Sequence, residues 1–131
     1  MDVKIIPDRE NKKLTAAIYG DIDHHTAKFY RSEIDSAIDQ YQPHTLIIDF
    51  ENVTFMDSSG IGLVMGRYKL MSQRSGEVLT ANPPPYIRKV MILAGLNKLC
   101  RIVDIPSADC EQPKEPEQSI SDSRQMGGML K

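Results

Sequence analysis

A chain of 131 residues has room for one hydrophobic core and not for two. Its formal net charge of -2, a pI near 5.9 and the absence of any block of Lys or Arg exclude the electrostatic footprint of a nucleic-acid-binding protein. The apolar runs fall far short of a membrane span, and the opening MDVKIIPDREN lacks the basic-then-apolar form of a signal peptide, so the expected location is the cytoplasm.

Residues 4–6 and the stretch LTAAIYG flank a polar PDRENKK and read as two strands of an opening hairpin. From Asp23 the period changes: Ala27, Tyr30, Ile34, Ala37, Ile38 and Tyr41 recur at steps of three and four, which predicts an amphipathic helix. Asp23 stands at its N-cap, where a carboxylate accepts from the free amides of the first turn, and Pro43 marks the exit. TLIIDF shows no alternation and reads as a strand covered on both faces, near the centre of a sheet.

A connection, ENVTFMDSS, then leads to a second helix carrying Ile61, Val64, Met65, Tyr68 and Met71 and ending near Gly76. EVLTAN reads as a strand, PPP as a stiff entry to a third helix with Ile87, Val90, Met91 and Ala94 on one face before Gly95, and CRIVDI as a last strand. The order of elements predicts an α/β fold, a mixed β-sheet with α-helices packed against it. The domain spans residues 1–106; residues 107–131 shift to Glu, Gln, Ser, Asp and Pro and read as a flexible polar tail.

The chemistry-bearing residues are few. Cys100 and Cys110 lie too far apart for a CxxC motif and read as idle thiols. His24 and His25 are adjacent, not spaced to converge on a metal from one helix face, so neither a metal site nor a cofactor is expected. In VTFMDSSGIGLVMGRYK the serines sit in M-D-S-S-G, which does not match the G-x-S-x-G nucleophile elbow, and nothing places a histidine beside Ser58; catalysis is not expected.

Gly60, Gly62 and Gly66 imitate a phosphate cradle at a helix start, but the dinucleotide motif needs an acidic residue ending the next strand, and here that strand ends LTAN. Gly62 and Gly66, one turn apart, read instead as letting the helix approach its sheet. Asp57, Ser58 and Ser59 read as a helix cap or as a regulatory phosphosite, where phosphate would add about 1.5 to 2 negative charges beside a helix end that tolerates them.

Taken together, GDIDHHTA, FMDSSGIGLVMGRYK and AGLNKLCRIVDI resemble a STAS domain, more narrowly the sporulation-type anti-sigma factor antagonists, over Val3 to Ile105. The resemblance implies a switch protein rather than an enzyme. Its unphosphorylated form would bind an anti-sigma factor that is also a serine kinase and so release a sigma factor; phosphorylation would switch it off and a serine phosphatase would restore it. The modified residue would be Ser58, directly after the motif's Asp57, with Ser59 as a cap or supporting hydroxyl. The partner-binding surface would comprise Asp23, His24, Asp57, Ser58, Ser59, Gly60 and Gly62, with the Asp23 loop beside the phosphosite. ATP and Mg²⁺ would belong to the kinase. The family closes with a further helix after its last strand, whereas residues 107–131 lack a convincing apolar face. Two other readings are a STAS-like scaffold in which Ser58 only caps a helix, and a nucleotide-binding protein using the glycine-containing helix start.

Overall fold

The computed structural model describes residues 2–106. The strands are β1 (Asp2–Asp8), β2 (Lys13–Ile22), β3 (Thr45–Met56), β4 (Glu77–Ala81) and β5 (Arg101–Val103). The helices are α1 (His24–Tyr41), α2 (Ser58–Gln73) and α3 (Pro85–Leu93), followed by one 3₁₀ turn, Leu96–Lys98. The five strands form one sheet in chain order, β1 antiparallel to β2 and every later pair parallel. This is the expected mixed sheet. A short turn can only reverse the chain, which makes β1 and β2 a hairpin, whereas each helix carries the chain back so that the next strand runs in the same direction.

Leu14, Ala16 and Ile18 of β2 and Leu46, Ile48 and Phe50 of β3 share the face that receives the helices. They meet Tyr30, Ile34 and Ile38 of α1 and Val64 and Met71 of α2 in one core. Residues 45–50 are all buried, as their lack of alternation implied. Among the described residues, no helix is long and apolar enough to cross a membrane.

Several expectations are corrected. The segment read as a connection, ENVTFM, continues β3: it pairs with the end of β2, Gly20 facing Val53 and Ile22 facing Met56, through two shifts of register. Those shifts break the two-residue alternation, which hid the strand. The last strand is shorter than CRIVDI, keeping only Arg101–Val103.

The buried stripe of α2 is Gly60, Leu63, Val64, Arg67 and Met71, so Met65, 38% exposed, lies outside the core. Ala94 caps α3 from an exposed position. The left-handed residue after α2 is Ser75 (φ 61), not Gly76. Gly76 is required for another reason, because a Cβ there would come within 2.6 Å of the His44 carbonyl oxygen. Cys100 is buried and free, and burial pushes its thiol up to about 11; Cys110 and the expected tail at 107–131 lie outside the described residues.

Candidate functional site

Parallel β2 and β3 deliver their carboxyl ends to the same rim of the sheet, and each strand passes into a helix through a single aspartate. Ile22 pairs with Met56, so Asp23 and Asp57 leave the sheet side by side, and the Asp57 amide donates to the Ile22 carbonyl at 3.2 Å. Both aspartates have extended backbones and both are N-caps. The Asp23 carboxylate accepts from the amides of His25 and Thr26, each at 2.9 Å, while the Thr26 hydroxyl accepts from the Asp23 amide at 2.9 Å. The Thr26 amide is the main reason the Asp23 carboxyl is held below the usual carboxylate range. The Asp57 carboxylate accepts from the Ser59 amide at 2.7 Å.

Ser58 is therefore the first residue of α2, exposed, and not needed for the cap. Ser59 contributes its amide to that cap rather than a capping hydroxyl. Gly60 is buried, and a Cβ there would run into the Met56 side chain; this glycine lets α2 start close against the end of β3. Its place is beneath the candidate surface, not on it.

Gly62 and Gly66 were expected to serve close packing and do not. A Cβ at either position would meet nothing within 4 Å. Both border an open groove of about 360 Å³ between α1 and α2, whose α1 side carries His24, Lys28 and Arg31. At its base Arg67, buried, pairs with Asp35 at 2.9 Å. Desolvation lowers the Arg67 pKa, and the neighbouring carboxylate opposes that shift.

Three further residues hold the rim in shape. The Thr54 hydroxyl donates to the Asp21 carboxylate at 2.6 Å, tying the end of β3 to the end of β2. The Thr26 hydroxyl donates to the Asp21 carbonyl at 2.8 Å. Tyr30, fully buried, donates to the Tyr19 carbonyl at 3.0 Å, just before Gly20 (φ 102), where β3 bulges against β2. Burial raises the Tyr30 pKa above the ordinary phenol value. The rings of His24 and His25 meet edge to face with centroids 5.6 Å apart. Among the described residues, no group of three or more His, Cys, Asp or Glu could hold a metal ion.

The model of one family, the STAS domain, matches residues 5–105. The chain belongs to the STAS family. This STAS chain is 34% identical over 104 residues to the anti-sigma F factor antagonist of Paenibacillus polymyxa, covering 79% of its own length and 89% of that relative. Its fold is similar to that of the anti-sigma factor antagonist SpoIIAA in its unphosphorylated form, with a TM-score of 0.69 and 32% identity over 81% of this chain and 90% of that one. The phosphorylated form of SpoIIAA from Bacillus matches with a TM-score of 0.64 at the same identity, over 81% and 93% of the two chains.

Of the residues nominated from sequence, the STAS fold brings Asp23, His24, Asp57, Ser58, Ser59 and Gly62 to one rim. The contributions of Asp21, Thr54, Tyr30, Lys28 and Arg31 escaped sequence reading. Thr54 and Asp21 are 33 residues apart, and neither carries a local signal of the other.

Proposed function

We propose that the chain is an anti-sigma factor antagonist and that Ser58 is its switch. In its unphosphorylated form it binds an anti-sigma factor with serine kinase activity, and a sigma factor is released. Phosphorylation of Ser58 ends that binding and a serine phosphatase restores it.

The observation that carries the reading is the division of labour at the start of α2. Asp57 satisfies the cap, which leaves the exposed Ser58 hydroxyl available to a kinase site without dismantling the helix start. The positive end of α2 offsets the charge of a phosphate, while neighbouring Asp57 repels it, so the expected change is in the surface a partner meets. That the similar SpoIIAA has been seen in both forms supports the same chemistry here. Asp23, His24, Asp57, Ser59 and Gly62 form the surface around the switch, with Gly60 shaping it from beneath. The chain acts as substrate, so ATP and Mg²⁺ are supplied by the kinase.

The test is to incubate the protein with the anti-sigma factor kinase of the same genome and ATP, beside Ser58→Ala and Ser59→Ala, and to record intact masses. The expected result is one added phosphate that only Ser58→Ala abolishes. No addition by an active kinase would overturn the switch and leave a STAS scaffold in which Ser58 merely begins a helix.

A further inference from the structure

Gly62 and Gly66 occupy the interior of a 16-residue helix, where glycine is among the poorest choices. Nothing in the described chain requires them, since a side chain at either position has open space in front of it. What two absent Cβ atoms one turn apart offer is close approach for something outside the chain.

The opposite wall of the groove states the chemistry of that visitor. His24, Lys28 and Arg31 follow one another along one face of α1 at steps of four and three. Among the described residues, no acidic side chain lines the groove. Among the described residues no ion pair engages Lys28 or Arg31, whereas Arg67 at the base already has Asp35. The row runs about 10 Å along the helix axis at 1.5 Å per residue, or two turns. A single small anion would meet one point of such a row. A helix carrying acidic residues at the same spacing meets all of it, and its backbone settles over the two glycines.

We infer that the α1/α2 groove seats an acidic helix of the anti-sigma factor. The inference rests on the antagonist reading and adds which part of the partner is recognised. The groove starts at Ser59, so it continues the surface around Ser58 without a gap.

The experiment is calorimetric titration of the full chain with the anti-sigma factor kinase of the same genome, at about 50 and about 200 mM salt, where screening differs most for exposed charges. Wild type and Ser58→Asp come first: binding by the former and not by the latter upholds the antagonist reading independently of the groove. No binding by wild type overturns both.

With that reading upheld, Lys28→Glu/Arg31→Glu, which changes exposed side chains only, is expected to bind at least about tenfold more weakly and with less salt dependence. Gly62→Ala/Gly66→Ala is expected to melt several degrees higher, as two better helix formers require, and still bind about tenfold more weakly. A protein made more stable and less able to bind is an outcome that a structural role for the glycines does not produce. Wild-type affinity in the charge-reversed variant overturns the seat. So does a lower melting temperature or undiminished affinity in the alanine variant; the latter would reduce the basic row to long-range steering.

Discussion

Asp57 holds the start of α2 through one short bond to the Ser59 amide, and the neighbouring Ser58 takes no part in it. Two adjacent residues of similar capping preference thus have separable consequences. Asp57→Ala is expected to cost about 1 kcal/mol of stability, the usual loss on removing an N-cap, whereas Ser58→Ala should stay within about 0.5 kcal/mol of the parent. Urea unfolding of both variants measures the difference, and equal losses would mean that the serine hydroxyl shares the cap. Capping was legible in the sequence because Asp23 and Asp57 each stand directly before the first residues of a helical period. The residues that shape the rim were not, because Tyr30 reads as an ordinary core aromatic until its hydroxyl is seen to meet the end of β2 where its register with β3 shifts.

Among the elements, α2 departs furthest from its sequence pattern. Its apolar residues suggested a stripe through Ile61, Val64 and Met65, yet the buried side is turned toward Leu63 and includes Arg67. An arginine is tolerated there because Asp35 of α1 answers it, and the pair joins the two helices that form the groove. Breaking the pair from either side should not be symmetrical. Asp35→Ala leaves a buried guanidinium without its counter-charge; Arg67→Met leaves Asp35, whose side chain is 37% exposed, to solvent and fills the space with apolar atoms. The first is therefore expected to destabilise by less than the roughly 3 to 5 kcal/mol of a fully buried pair but clearly more than the second, which should be near neutral. Denaturant midpoints of both variants decide it. Period analysis finds where a helix is; it does not reveal a charge whose partner lies on another helix. The same limit explains Gly62 and Gly66, since a glycine in a helical pattern says that something comes close but not from which side.

At the scale of the whole molecule, the order of elements was enough to reach the mixed sheet, because parallel pairing follows once each strand is separated from the next by a helix. The junction of β2 and β3 was harder to read than their existence, since β3 bulges twice there and runs on to Met56. Under the proposed switch, phosphorylation of Ser58 should leave this architecture in place. The melting temperatures of the two forms are expected to agree within about 5 °C, as helix-end and Asp57 charges oppose one another, while affinity for the anti-sigma factor falls at least about a hundredfold because a buried phosphate lacks a partner. Differential scanning calorimetry and titration of purified, mass-verified forms measure both quantities, and equal affinities would sink the switch.

The Asp57 cap carries one more consequence. Quality control in cells recognises proteins through their unfolded fraction, so a modification that weakened the fold would also shorten the life of the molecule bearing it. Under the proposed switch the helix start is secured by Asp57 and not by the marked Ser58, so the marked and unmarked populations would share one lifetime. Their ratio would then record only the contest between the proposed enzymes that add and remove the mark, and each molecule would remain available for many rounds of that contest.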